Sequence, residues 1–166
     1  MRIVGDHLAG EAANRGDATE FDLFSRSAFN RYYYSAFLSV RRVLKLLDPV
    51  WATPSHQSMP EVLRGEVLNR LKRQVRNAQK TGQISQTKGD QLFHAAGTAA
   101  VELSNLLKSA RETRRLADYE PEIRVVRDGS ATKLGEWSLE AARNWERRVE
   151  AQSNTILKIY ATFGLI

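Results

Sequence analysis

The chain has 166 residues with 42% hydrophobic content, enough for one domain of ordinary size and short for two independent cores. Its 25 Lys and Arg against 19 Asp and Glu leave a net charge of +6, and the lack of cysteine excludes a disulfide framework, thiolate metal sites and a cysteine nucleophile. Three scattered histidines argue against a catalytic zinc site, no stretch approaches the roughly 18 apolar residues of a membrane span, and the acidic first twenty residues lack the apolar core of a signal peptide. The expectation is therefore one domain over residues 1–166, in a bacterial-type cytoplasm, away from the membrane. The positive charge is concentrated: residues 1–22 sum to −3, whereas 23–60 and 61–80 each sum to +4. A polyanionic partner would meet residues 26–80.

A short helix from about Val4 to Ala13, stopped by Gly16, opens the chain. From Phe21 to Leu47, apolar side chains at Phe24, Ala28, Phe29, Tyr33, Ala36, Phe37, Val40 and Leu44 keep the three- and four-residue steps of one long amphipathic helix. Asp48-Pro49 ends it, because the residue before proline is pushed out of the α region and proline donates no backbone hydrogen bond. After a loop through Pro54, Ser55 and His56, a capping hydroxyl at Ser58, Pro60 in the first turn and Glu61 at the positive end of the dipole start a second helix, which runs to about Lys80. Thr81 and Gly82 break it. Ser85 or Thr87 opens a third, whose apolar positions run from Leu92 to Ala110 and which ends before Pro121.

Between Glu122 and Trp137, the β-branched run around Val125 and the turn signal Asp128-Gly129 predict a loop or a small hairpin. Ser138 then caps the last helix, with Trp145, Val149, Ile156 and Tyr160 on its apolar face. The expected fold is all-α: an up-and-down bundle of about four long helices plus the short N-terminal one.

Two segments are more specific than a bundle requires: Arg31-Tyr-Tyr-Tyr-Ser-Ala-Phe37 in the first long helix and Arg114-Arg-Leu-Ala-Asp-Tyr119 at the end of the third. Together they resemble the HEPN family, in which an early helix carries Arg-x-Tyr-Tyr-x-x-Phe, matched by Arg31, Tyr33, Tyr34 and Phe37. A later helix of the family ends in Arg followed by Ala-Asp-Tyr, matched by Arg114, Ala117, Asp118 and Tyr119. The ordered pair, with a histidine-containing loop near His56 and a terminal helix, extends the resemblance over about residues 20–160. It implies a helical, often dimeric domain that sits beside a small nucleotidyltransferase or within a defence or toxin-antitoxin system and frequently cleaves RNA without a metal. In nuclease members Arg binds the scissile phosphate and a His four to six residues later moves protons; here Arg114-x4-Tyr119 puts tyrosine in that place. A phenol with an ordinary pKa of about 10 is a poor general base near pH 7. On an ideal helix Arg114 and Tyr119 also stand about 140° apart, so they converge only if the helix unwinds before Tyr119 or if two protomers contribute.

The site expected from this resemblance is Arg114, Tyr119 and His56, with Arg31 and Asp118 as a supporting ionic cluster for which a structural role is the first reading and a functional groove the alternative. Tyr32, Tyr33 and Tyr34 point 100° apart and favour packing over one flat stacking platform. Arg70, Arg73, Arg76 and Lys80 on the second long helix are the phosphate-binding candidates, with a plain solvated face as the alternative. No phosphate-cradling glycine loop, serine-histidine-acid set or magnesium-type acidic motif is present, so no cofactor or metal is expected. The expected partners are RNA, a nucleotidyltransferase or antitoxin protein, and a second copy of the chain. The alternative is a non-catalytic interaction module that binds such a nucleotidyltransferase or defence partner, with Tyr119 as a modification target.

Overall fold

The computed structural model describes residues 1–53 and 55–166, and Pro54 of the expected loop lies outside them. The chain is an all-α helical bundle with one small antiparallel sheet. No helix among the described residues is long and apolar enough to cross a membrane. The chain divides into two compact units, Met1–Leu38 with Leu107–Arg148 and Ser39–Leu106 with Val149–Ile166.

The first unit begins with α1 (Arg2–Ala13). It stops at Asn14, two residues before the glycine expected to end it, where the Asn14 amide donates back to the Glu11 carbonyl and the Arg15 amide to the Ala12 carbonyl, each at 3.1 Å. Gly5 on α1 lies against the ring of Tyr32, and a Cβ there would stand 2.7 Å from Tyr32 Cε1. The long helix α2 (Ala18–Leu47) starts one turn earlier than its apolar pattern, because an Asp17 carboxylate oxygen accepts from the amides of Thr19 and Glu20 at 2.9 Å each. Phe21, Ala28, Phe29, Tyr32, Tyr33, Ala36 and Phe37 supply its buried face. They share the unit's core with Leu107, Ala110 and Ala117 from α5 (Gln86–Tyr119) and with Val125, Leu134, Ala142 and Trp145.

Where the sequence predicts a loop or hairpin, the structure has three strands, β1 (Val125–Asp128), β2 (Ala131–Leu134) and β3 (Trp137–Ser138). Val125 pairs with Leu134 and Asp128 with Ala131, so Gly129 and Ser130 form the two-residue turn that Asp128-Gly129 signals. Gly129 and Gly135, at φ +59° and +57°, occupy the left-handed region that both turns need. The Ser138 hydroxyl accepts from the Ala141 amide at 3.1 Å and caps α6 (Leu139–Arg143) as expected. One residue breaks the predicted last helix: Asn144 turns its amide onto the Glu140 carbonyl at 3.0 Å, and α7 (Trp145–Thr162) begins after it.

The network around Asp22 and Arg26 holds this unit's elements in place. Arg26 uses all five of its N–H donors. Nε meets both Asp22 oxygens at 3.0 and 3.1 Å, one terminal nitrogen donates to the carbonyls of Leu116 and Ala117 at 2.9 and 3.1 Å, and the other donates to those of Glu120 and Ile123. The last carbonyls of a helix have no intrahelical partner, so this guanidinium closes the end of α5. Asp22 also accepts from the Val125 amide at 2.7 Å and from Arg124 at 3.1 Å, which starts β1 at this point.

The second unit takes its core from Val40, Leu44 and Leu47 of α2, Leu103 and Leu106 of α5, and Ile156, Ile159 and Tyr160 of α7. Asp48 is extended before Pro49, as expected, and its carboxylate caps the 3-10 turn Pro49–Ala52 by accepting from the Val50 amide at 3.0 Å. The second long helix is present over the expected residues, but in three pieces: α3 (Met59–Val62), a π turn (Leu63–Val67) and α4 (Leu68–Lys80). Ser58 does not cap it. Its backbone is already in the αR region, and its hydroxyl lies 3.0 Å from that of Ser55. At the end of the π turn, the Val67 carbonyl accepts the buried Tyr160 hydroxyl at 2.7 Å. Ser85 accepts from the Lys88 amide at 3.2 Å and opens α5.

Arg26→Met leaves the buried Asp22 carboxylate with the exposed Arg124 as its remaining cation and takes one donor from each of four carbonyls, and is expected to cost about 3–5 kcal/mol. Tyr160→Phe removes only the partner of Val67 and is expected to cost about 1–3 kcal/mol. Urea unfolding followed by circular dichroism measures both, and a Tyr160→Phe loss as large as that of Arg26→Met would contradict this ranking.

Candidate functional site

The last three turns of α5 carry charged side chains at three- and four-residue spacing. Lys108, Arg111, Glu112, Arg115 and Tyr119 follow one stripe, and Arg114 flanks it. These six residues line a hollow of about 250 Å³ in the first unit. Arg114 and Tyr119 thus meet at one concavity. The helix neither unwinds before Tyr119 nor needs a second protomer, because two long side chains can lean across the angle that separates their Cα atoms.

Arg114 is held on two sides. Its Nε donates to an Asp118 oxygen at 3.0 Å, one helical turn on, and its guanidinium carbon stands 5.6 Å and 5.3 Å from the ring centroids of Tyr33 and Tyr34. The other Asp118 oxygen accepts from the Asn30 side-chain amide at 2.5 Å. Burial works against the Arg114 charge, but Tyr34, Asp118 and Tyr119 outweigh it and raise the guanidinium above its usual pKa. It therefore keeps its charge at any physiological pH.

The three tyrosines divide their work. Tyr32 is buried and donates to Asp6 at 2.9 Å; burial first, then this acid, pushes its phenol well above the ordinary range. Tyr33 is also buried, nearly parallel to Phe37 at 6.1 Å between ring centroids and edge-on to Tyr34 at 5.3 Å. Tyr34 is half-buried. Packing thus accounts for Tyr32, while Tyr33 and Tyr34 form the bed on which Arg114 lies.

Around that bed the charges are unevenly committed. Arg115 is paired with Glu112 at 2.7 Å and with Glu120, and hydrogen bonding from Arg115 holds the Glu112 carboxyl below its usual pKa. Arg111 is exposed and makes no ion pair among the described residues. Tyr119 is 67% exposed, which leaves its ring accessible to a ligand in the hollow.

Other expected site residues stand elsewhere. Arg31 does not join Asp118: its terminal nitrogen lies 4.0 Å from the Met1 sulfur, because one step along α2 turns it 100° away from Asn30, which does reach Asp118. His56 is half-buried in the turn over residues 56–58 and belongs to the second unit. Arg70 is bound inward, donating to the Leu47 carbonyl at 3.1 Å and to Asp48 at 3.2 Å while its guanidinium faces the Trp51 ring at 5.7 Å; it closes the end of α2. Arg73, Arg76 and Lys80 are exposed.

Lys108, Arg111, Glu112 and Asn30 stand at the site without having been expected there. The three- and four-residue spacing from Lys108 to Tyr119 is the signal in the sequence that could have found this stripe. Comparison of the chain with family models, with curated proteins and with solved structures finds no match in any of the three.

Burial of the Tyr33 phenol, opposed by Arg114, pushes its pKa from 10.0 up to about 12. Between these two values the native state keeps a proton that the unfolded chain has lost, so stability is intact below pH 10 and falls as pH rises toward 12. Tyr33→Phe is expected to make this fall shallower. Urea unfolding at a series of alkaline pH values checks it, and an unchanged slope would remove Tyr33 from the linkage.

Proposed function

We propose that the chain is a HEPN-type, RNA-acting protein of the cytoplasm, a metal-independent endoribonuclease or toxin component whose site is the Arg114 hollow. The observation that carries this reading is the seating of Arg114, fixed by Asp118 at 3.0 Å and bedded on Tyr33 and Tyr34, at a hollow that Tyr119 also lines. A guanidinium positioned before substrate arrives loses little on binding a phosphodiester, and its charge stabilises the extra negative charge of a pentacoordinate phosphorus. In the cleavage this implies, a ribose 2′-oxygen attacks the adjacent phosphorus as its proton passes to water. The bond to the 5′-oxygen breaks, and a cyclic phosphate forms. A neutral phenol suits the second half of that step: Tyr119 donates its proton to the departing 5′-oxygen. Lys108 and Arg111 extend the positive field along the strand. The resemblance supplies the expectation of a homodimer and of a nucleotidyltransferase or antitoxin partner.

The exposure of Tyr119 favours a second reading, a non-catalytic module of the same family that docks a nucleotidyltransferase and offers the Tyr119 hydroxyl as the modified group.

Purified protein incubated with total RNA and EDTA is expected to cleave it, and Arg114→Ala is expected to slow cleavage roughly 10²- to 10³-fold. Tyr119→Phe is expected to slow it as well, without loss of folding. A denaturing gel reads all three. Equal cleavage by wild type and Arg114→Ala removes Arg114 from the site. Intact RNA throughout, with a mass gain on Tyr119 in the presence of the partner and ATP, replaces the nuclease reading by the module.

A further inference from the structure

The second unit holds a small hollow that the Arg114 site does not use. About 230 Å³ in volume, it is lined by Gln74, Asn77, Gln83, Ile84, Thr162 and Phe163, with Ala78 as the remaining wall. Pockets that enclose whole small molecules run from roughly 300 to 1,000 Å³, so this one accommodates a fragment such as a single planar ring system. Its walls combine one aromatic ring and one aliphatic side chain with three carboxamides. Each carboxamide offers a donor and an acceptor on one edge, and among the described residues none of the three has a hydrogen-bond partner for its side chain. The edges of nucleobases present the matching donor and acceptor pairs, and asparagine and glutamine read them in bidentate fashion.

Independently of the hollow, α4 (Leu68–Lys80) carries five bases and no acid. With Arg70 turned inward, Lys72, Arg73, Arg76 and Lys80 remain exposed, and none of these four makes an ion pair among the described residues. Arg73, Arg76 and Lys80 run for about 10 Å along the helix. Gln74 and Asn77 follow Arg73 and Arg76 in sequence, so the carboxamide row lies beside the cation row, rotated by about 100° on the same helix. A nucleotide has this same pairing, with charge on its backbone and a hydrogen-bonding ring beside it. An acidic peptide would use the cations and leave the carboxamides unexplained.

We propose that α4 and the adjoining hollow form a subsite for an unpaired nucleotide of an RNA strand, with Arg73, Arg76 and Lys80 on the phosphates and Gln74, Asn77, Gln83 and Phe163 around the base. The assignment to a nucleotide follows from the second unit itself, while the choice of RNA rests on the proposed function. Single-stranded RNA is read in this way, because its bases are free to leave the stack and enter a protein pocket.

The test is fluorescence anisotropy of the full chain with short labelled 2′-O-methyl oligomers of A, C, G or U, which lack the free hydroxyl needed for cleavage and so report binding alone. Wild type is expected to prefer one base. Arg73→Ala with Arg76→Ala is expected to weaken all four alike, and to reduce the slope of log affinity against log salt by about 1.4, twice the roughly 0.7 per phosphate of single strands. Asn77→Ala with Gln83→Ala, two exposed positions whose loss leaves the core intact, is expected to lower affinity for the preferred base about five-fold or more and to leave the salt slope unchanged. Equal binding of all four bases, unmoved by the carboxamide variants, would overturn the subsite. Displacement of RNA by polyglutamate at equal charge concentration would also overturn it, in favour of an acidic protein partner. If base-dependent binding persists where no RNA is cleaved, the subsite stands without the nuclease reading. If cleavage proceeds and the α4 variants bind as wild type does, the subsite is removed and the nuclease reading remains.

Discussion

One guanidinium decides how the first unit is put together. Arg26 spends each of its five donors on a carboxylate or a carbonyl from another part of the chain: Asp22 on its own helix, the end of α5 and the link leading into β1. Such a group is expensive to bury unless every donor is met and its charge is balanced, and Asp22 provides the balance from four residues back. The carbonyls at the end of a helix have the complementary need, since nothing within the helix reaches them. The two requirements meet at Arg26, and from there Asp22 passes the constraint to β1 through the Val125 amide.

The candidate site depends on that closure. Asp118 and Tyr119 are the last two residues of α5, where a helix ordinarily frays, and the carbonyls of Leu116 and Ala117 just before them are fixed by Arg26. With the end of the helix held, Asp118 orients Arg114 and is itself held by Asn30. An acid near a helix C-terminus opposes the dipole and needs cations close by, and Arg114 is the nearest. The tyrosine bed beneath Arg114 acts in two ways: it packs α2 against the core, and it places π density where a cation is otherwise hard to keep partly out of water. The hollow is thus built from groups whose structural and chemical demands coincide, which is how a charged side chain is held in one orientation without ligand.

The second unit meets a different backbone problem. A π turn disturbs the regular pairing of helix carbonyls, and Tyr160 answers it with a buried hydroxyl on Val67. That bond ties α7 to the turn from which α4 emerges, and so to the start of the helix that bears the exposed cations. Arg70 illustrates the difference between charge and availability. It is as basic as its neighbours but is consumed by the end of α2, and a count of charges along the sequence does not separate the two cases.

The helices, their approximate limits, Ser138 as a cap, the stop at Asp48-Pro49 and the turn at Gly129 were legible in the sequence, because each depends on residues a few positions apart: periodicity, capping and proline geometry are local. The π turn was not, since a distant group, the Tyr160 hydroxyl, meets its Val67 carbonyl; the break at Asn144 and the third strand rest on short-range contacts, of Asn144 with the Glu140 carbonyl and of Trp137 with Leu134, that leave no trace in the apolar periodicity. Arg114, Asp118 and Tyr119 could be selected as a set from their spacing in one helix, yet the residue of α2 that reaches Asp118 is Asn30, next to Arg31. Which residue on a facing helix reaches across is fixed by rotation about the axis, and a step of one residue changes it by 100°. The Asp22–Arg26 pair was visible as an i,i+4 acid and base, but its importance was not, because four of the five donors go to carbonyls about ninety or more residues away in the chain. The sequence by itself determined the elements and the kinds of side chain available to a site. Only the tertiary structure decided which charges were spent on closing helix ends and which were left exposed, because hydrogen bonds to main-chain atoms are made irrespective of the side chain those atoms carry, and so leave no mark in the pattern of residues.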